Sequence, residues 1–418
     1  MEAPVIIDLP STSTSALNRR LVDLRETGGA VALGRVLTLV ICTGDEEAEE
    51  AIAAANDASR EHPCRVLVVA RGSRRGANRL DGQIRVGGDA GASEVVVARL
   101  YGELARHGDA VVVPLLLPDA PVVAWWPGEP PAVPAEDPIG AMAQRRITDS
   151  GAARRPLKAL QALAAGHAPG DTDLAWSRVT LWRGLLAAAL DQPPHDPVRS
   201  AVVTGAEDSP SADLLAGWLG LALGCPVTRV RSEPGSGIVG VRLERGSGDV
   251  ELVRPEGATA LLTAPGQPER QVSLPPRSVR DCLAEELRRL DPDEVYGDVL
   301  TQGLRALARP RRAAEAGGSS REDARRRLAG HRAAERETAA AVRGAEPQDA
   351  PAEPGPTDDS EVVAGAAAAP APGEVTGGST SAGAGEPVGS ELVPDDGGAS
   401  AADVADPQAV GDGRGGAA

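Results

Sequence analysis

The sequence predicts an α/β protein with two α/β domains. The first carries a partly parallel sheet built on a βαβ unit, the second a mixed or antiparallel sheet with flanking helices, and a disordered acidic tail follows. Two apolar runs, Arg35–Thr43 and Arg65–Ala70, bracket a helical stretch. A second series of helical and strand-like runs begins at Asp171, and large apolar residues almost vanish after Ala345. At 418 residues there is room for two or three domains of about 100–200 residues each, so core size is no constraint. The expected divisions are 1–170, 171–309, an Arg/Ala-rich extension of helical composition at 310–345, and the tail at 346–418.

The first element is a helix over Ser13–Thr27: Leu17, Leu21 and Leu24 fall at i, i+4 and i+7, Ser/Thr residues can cap its start, and Gly28-Gly29 ends it. Val36, Leu37, Leu39, Val40 and Ile41 show little alternation, which suits a strand covered on both faces. From Asp45 a helix is expected, with Glu46, Glu47, Glu49 and Glu50 at its positive end and Arg60 at its negative end. The strand Arg65–Ala70 completes a right-handed βαβ unit. Further strands are expected at Gln83–Val86, Glu94–Leu100 and Val122–Trp126, with a short amphipathic piece over Gly102–Leu116. Five prolines in residues 127–138 make that segment a surface connection. In the second half a helix capped by Asp171 to Asp173 is expected to run to Leu190, with Trp176, Val179, Trp182, Leu186 and Ala189 along one side. A strand at Val198–Thr204 and a helix at Ser211–Leu223 come next. Short strands between Pro226 and Leu274 lead to helices at Ser278–Leu290 and Asp293–Ala308.

The formal charge of −17 is concentrated in the tail, where residues 346–418 hold 14 acids against one base, Arg414. Such a segment buries too little apolar surface to offset the entropy of ordering. The remaining 345 residues hold 46 acids and 42 bases. That near-neutral body, together with only seven aromatic residues, argues against nucleic-acid binding. Lys158 is the single lysine among 43 basic residues, so no arginine is evidence of a site by itself. Four cysteines without CxxC spacing describe neither a disulfide framework nor a zinc site. Met1-Glu2-Ala3-Pro4 lacks a charged leader, and no apolar stretch approaches the ~18 residues of a membrane span, so a cytoplasmic protein with no membrane attachment is expected.

Gly235-Ser236-Gly237-Ile238-Val239-Gly240 matches a dinucleotide-binding fingerprint in letters, but Val239–Leu243 alternates like a strand where a helix is required. A hairpin turn is the better reading. The run Arg71–Arg79 directly follows the second strand of the βαβ unit, at the sheet edge where ligands bind. Its arginines Arg71, Arg74, Arg75 and Arg79, with two glycines and a serine, are candidates for a phosphate or an acidic partner surface. His62, His107, His167, His195 and His331 have no partners at metal-ligand spacing. HExxH, Walker A and GxSxG motifs are absent from the sequence. No catalytic residue, metal or cofactor is therefore expected. Cys42 and Cys64 should lie at opposite ends of parallel neighbours, about 20 Å apart, beyond disulfide reach. Cys282 shares a helical face with Val279, Leu283 and Leu287 and reads as core. Trp125 and Trp126 are adjacent, so in a strand they point to opposite faces. Either both faces are covered by helices, or one indole is an anchor for another domain or a partner.

Several runs resemble the glucose-6-phosphate dehydrogenase assembly protein family, OpcA. They are Gly28-Gly29-Ala30-Val31-Ala32-Leu33-Gly34-Arg35-Val36-Leu37-Thr38-Leu39, Asn56-Asp57-Ala58-Ser59-Arg60-Glu61-His62-Pro63-Cys64-Arg65-Val66 and Gly87-Gly88-Asp89-Ala90-Gly91-Ala92-Ser93-Glu94. Val113-Pro114-Leu115-Leu116-Leu117-Pro118-Asp119-Ala120-Pro121 leads on to the Trp pair and to Gln144-Arg145-Arg146-Ile147-Thr148-Asp149, and Asp173-Leu174-Ala175-Trp176 follows. The resemblance spans residues 4–308, and the arginine bias is similar to that of the family's actinobacterial branch. It implies a non-catalytic partner that assembles and activates the NADP-dependent glucose-6-phosphate dehydrogenase of the oxidative pentose phosphate pathway. The thioredoxin control associated with some members needs a dithiol that has no match here. A contact surface with Trp125 or Trp126 as anchor and arginines such as Arg145 and Arg146 as rim would fit that role. The rival expectation is a sugar-phosphate or nucleotide sensor, or an enzyme, that uses the Arg71–Arg79 loop.

Overall fold

The computed structural model describes residues 5–28, 36–86, 94–307, 311–312 and 321–344. The expected tail at 346–418, and parts of the resemblance runs at 29–35 and 87–93, lie outside these residues.

The first half builds one eight-stranded sheet. Its elements in chain order are β1 (Val5–Leu9), α1 (Thr14–Gly28), β2 (Leu37–Gly44), α2 (Ala48–Ser59), β3 (Cys64–Arg71), β4 (Arg79–Val86), β5 (Glu94–Tyr101), α3 (Gly108–Val112), β6 (Val122–Trp126), β7 (Arg145–Thr148), α4 (Pro156–Ala165) and β8 (Asp171–Asp173). The strand order is β1-β4-β5-β3-β2-β6-β7-β8. The strands from β5 to β8 run parallel, and β4 and β1 add antiparallel at one edge. The expected βαβ unit is present, with Leu37 opposite Cys64 and Gly44 opposite Arg71.

The continuous apolar composition of β2 and β3 follows from burial on both faces. On one face Leu39, Ile41, Val66, Val68 and Trp125 pack under α2, whose Ala48, Ala51, Ile52 and Ala55 repeat at helical spacing. On the other face Val40, Leu67, Val69 and Trp126 meet Leu17 and Leu21 of α1 and the segment around α3. Arg65 is buried in β3 because Glu94, its register partner on β5, accepts from its Nε and Nη2 at 3.3 and 3.0 Å.

The second sheet follows α5 (Leu174–Ser177) and α6 (Thr180–Leu190). It comprises β9 (Val198–Ala206), β10 (Val227–Ser232), β11 (Ile238–Arg245), β12 (Val250–Glu256), β13 (Thr259–Thr263), β14 (Arg270–Ser273) and β15 (Arg311–Arg312), with α7 (Pro210–Leu223) between β9 and β10. Its order is β14-β13-β12-β11-β9-β10-β15. Parallel pairing is confined to β9, β10 and β15, and the strands from β11 to β14 are antiparallel. One face packs Val203, Val241, Leu243 and Leu252 against Trp182, Leu215 and Leu219.

Four more helices complete the described chain: α8 (Val279–Leu287), α9 (Glu294–Asp298), α10 (Leu304–Ala306) and α11 (Arg321–Gly344). A π-helical turn, Val299–Gly303, joins α9 to α10 in place of the single helix expected over 293–308. There the backbone packs against α7, and a Cβ at Gly303 would come within 2.9 Å of the Gly217 carbonyl oxygen. Helix α8 crosses back to the first sheet, where Cys282, Leu283 and Leu287 join the core beside α2. Leu328 of α11 is buried, while Arg325 and Arg327 pair with Glu256 and Glu269.

Two expectations are corrected. The helix expected from Asp171 to Leu190 is broken into β8, α5 and α6, because Asp171, Thr172 and Asp173 extend the first sheet beside Arg146, Ile147 and Thr148. The turn between α5 and α6 falls at Val179, which leaves helical geometry at φ −96 and ψ 2. The Gly235–Gly240 run is also not a hairpin. Its turn, with Gly235 and Gly237 at φ 75 and 62, leads from β10 to β11, and β9 lies between those two strands. A strand follows the glycines, so no helix N-terminus is available to a pyrophosphate.

Cys42 and Cys64 sit on neighbouring parallel strands with five register positions between them, about 16 Å at ~3.3 Å per residue. They also face opposite cores. Burial pushes the Cys42 thiol up to about 12 and the Cys282 thiol up to about 11, whereas Cys225 is partly exposed. Maleimide labelling followed by intact-mass measurement is expected to modify Cys225 first and the other three only on unfolding. A Cys42–Cys64 crosslinked peptide after mild oxidation would contradict this arrangement.

Candidate functional site

The carboxyl edge of the first sheet is where an open parallel sheet binds ligands, at the point where connections leave toward opposite sides. Here that point lies between β2, which continues through α2 to β3, and β6 on its other side. The β2–α2 turn is acidic. The Glu47 carboxylate folds over Gly44, where a Cβ would collide with it. Asp45 accepts from Arg99 Nε at 3.0 Å and from the Tyr101 hydroxyl at 3.1 Å. Glu49 accepts from both Arg85 terminal nitrogens, at 2.9 and 2.6 Å, and from Arg99 at 3.1 Å. Its carboxyl is held below the usual range, first by the hydrogen bond from Arg85. The first turn of α2 thus carries Glu49 and Glu50 beside Glu47, an acidic setting that does not favour a pyrophosphate.

One strand over, β3 ends at Arg71. Its guanidinium lies 4.0 Å from Asp137, and its Nε is buried without a hydrogen-bond partner. Together with Arg74, Arg106, Asp109, Asp137 and Ile139 it lines a cavity of about 230 Å³. Among the described residues neither Arg74 nor Arg75 has a carboxylate partner, and both are exposed. Arg79 belongs elsewhere: its Nε donates to Asp81 at 2.9 Å, and its guanidinium stacks 4.3 Å from the Tyr101 ring centre.

The other four candidate residues are withdrawn from the surface. Trp125 and Trp126 are 0% and 2% exposed, one against α2 and α8 and the other against Ile139 and the α3 side. Helices cover both faces of β6, so neither indole is presented to a partner. Arg145 donates to Glu286 at 2.5 Å and to the Asp291 carbonyl at 2.6 Å. Arg146 pairs with Asp171 and donates to the carbonyls of Ala143 and Pro169. Both guanidiniums are consumed inside the protein, which removes them from the rim.

Sequence reasoning missed Arg106, Asp109 and Asp137, which come to the cavity from the turn into α3, from α3 itself and from the stretch after β6. It also missed a buried polar knot at the carboxyl ends of β7 and β8. Arg178 makes a bidentate pair with Asp149 at 2.7 and 2.6 Å. Asp173 accepts from the Thr148 and Ser150 hydroxyls and from the Ser150 and Ala175 amides. Burial and the Asp149 charge raise the Asp173 carboxyl to about 6, while those four donors favour its anion. The knot binds sheet to helix.

Residues 55–165 match the glucose-6-phosphate dehydrogenase subunit N-terminal domain, and residues 169–300 match the C-terminal domain of the same subunit. The chain belongs to the OpcA family of glucose-6-phosphate dehydrogenase assembly proteins. The two matches follow one another along the chain, and the gap between them falls just ahead of β8. No curated protein matches the chain. Among solved structures, a 3-ketoreductase from Actinomadura kijaniata, in complex with TDP-benzene and NADP, aligns at TM-score 0.36 and 13% identity. The alignment covers 66% of this chain and 98% of that one. An oxidoreductase from Sinorhizobium meliloti aligns at TM-score 0.36 and 12% identity, over 65% and 95% of the two chains. Likenesses this distant have no part in the functional reading. No helix among the described residues is long and apolar enough to cross a membrane, and no group of three or more potential metal ligands occurs among them.

Proposed function

We propose that this chain is a non-catalytic cytoplasmic subunit that binds glucose-6-phosphate dehydrogenase, promotes its assembly and raises its activity in the oxidative pentose phosphate pathway. The observation that carries the reading is the match of both halves, in order, to the two domains of the assembly subunit. The acidic β2–α2 turn supports it, because the helix start where a parallel sheet would hold a nucleotide's phosphates carries Glu47, Glu49 and Glu50. An activator of this kind works only by binding the active dehydrogenase assembly more tightly than the inactive one, and a ~100-fold preference corresponds to about 2.7 kcal/mol of coupling. Of the candidate contact residues, Arg74 and Arg75 are exposed and have no carboxylate partner among the described residues, so they are placed to meet an acidic surface.

Steady-state kinetics and sedimentation of the cognate dehydrogenase, with and without this chain, test the proposal. The expected result is a higher kcat/KM together with a larger assembly. Identical kinetics and identical size would overturn it. Removal of residues 346–418 is expected to leave activation largely intact.

A further inference from the structure

We propose that the cavity at the carboxyl end of β3 is a binding site for a small phosphate monoester, held by Arg71, Arg74 and Arg106. This goes beyond dehydrogenase binding and does not depend on it.

Three guanidiniums and two carboxylates line about 230 Å³ of space, and a third carboxylate, Glu103, pairs with Arg106 beside it. One of those carboxylates is already engaged: Asp137 Oδ1 accepts from the amides of Ile139 and Gly140, at 2.9 and 3.3 Å. Its other oxygen is 4.0 Å from Arg71, too far for a hydrogen bond. The Arg71 side chain is 37% exposed, so its terminal nitrogens can reach a ligand, while its Nε is buried without a partner. Among the described residues Arg106 is held by Glu103 alone, at 3.3 Å, with both side chains about 60% exposed, and such a surface pair contributes about 0–1 kcal/mol. A doubly charged phosphate, whose oxygens accept paired N–H bonds from a guanidinium fork, satisfies this set where a neutral sugar does not.

Size and position narrow the ligand. The cavity is smaller than the roughly 300–1,000 Å³ of ordinary ligand pockets, so it suits a phosphate with a small organic group and not a dinucleotide. Cavity walls come from three segments: the β3–β4 loop, the residues around the start of α3, and the stretch after β6. A bound dianion would tie these together and stabilise the folded chain by linkage.

Isothermal titration and thermal unfolding of the full chain, with inorganic phosphate, glucose 6-phosphate, glucose and NADP as separate probes, provide the test. Both phosphate probes are expected to bind and to raise the unfolding temperature. The sugar phosphate should bind more tightly than inorganic phosphate if its organic part contributes, and glucose should not bind. Arg71→Gln and Arg74→Gln should each weaken binding at least tenfold, while Arg75→Gln, outside the cavity lining, should leave it unchanged. Absence of binding by both phosphate probes up to millimolar concentration overturns the proposal. So does equal weakening by Arg74→Gln and Arg75→Gln, which would mark loose attraction to the loop. If the Arg71 and Arg74 variants bind no phosphate differently from the parent yet lose dehydrogenase activation, the cavity takes a partner's carboxylate and the proposal fails. Loss of dehydrogenase activation in the unaltered chain, with phosphate binding intact, would instead overturn the assembly role alone.

Discussion

Replacing Glu286 by alanine is expected to destabilise the fold by about 3–5 kcal/mol, the usual result of removing one partner of a buried ion pair. Glu286 is 5% exposed on α8. One carboxylate oxygen accepts from Arg145 on β7, and the other accepts from the Ser177 hydroxyl on α5, each at 2.5 Å. Without it, Arg145 would keep a buried charge with only the Asp291 carbonyl as partner, and its Nε already has none. Glu286→Gln preserves acceptor geometry at one oxygen and should cost less. Urea denaturation read by circular dichroism gives the comparison. A loss below about 0.5 kcal/mol for the alanine variant, the range of ordinary surface changes, would show that the pair is not buried as described.

Trp126→Ala is expected to cost about 3–5 kcal/mol as a cavity mutation, and it separates the two roles this residue was able to play. The indole lies in one buried cluster with Ile139, Val122 and Ala143, and a Cβ at Gly140 would lie 3.1 Å from its ring. Trp126→Phe retains much of the volume, so it should fold with a smaller loss and bind the dehydrogenase as the parent does. An interface anchor would behave in the opposite way: stability near that of the parent, with binding weakened by about 2 kcal/mol or more. Denaturation midpoints and dehydrogenase titration of both variants decide between these outcomes.

The α/β class was legible because burial leaves a periodic trace. β2 and β3 are doubly covered and therefore continuously apolar, and α2 repeats small and apolar residues at helical spacing. What escaped was short or charged. β7 contains Arg145 and Arg146, which read as surface until Glu286 and Asp171 neutralise them. β8 is three residues of Asp-Thr-Asp that resemble a helix cap, and Asp173 does cap α5 while also ending the sheet. Edge strand β1 is five residues with two exposed apolar side chains, too brief to show alternation.

Candidate residues divided for the same reason. The sequence by itself determined the family, the α/β class and the placement of an arginine-rich loop at the carboxyl edge of β3, since each is written in runs of neighbouring residues. It also placed Trp125 and Trp126 on opposite faces of one strand, because side chains alternate there. Only the tertiary structure decided that both faces are covered. It alone showed Arg145 meeting a carboxylate 141 positions away, and Arg71 and Arg74 sharing a cavity with Arg106 and Asp137. Whether a guanidinium is a rim, a core ion pair or part of an anion site depends on the charges and solvent around it. Chain segments distant in sequence supply those surroundings.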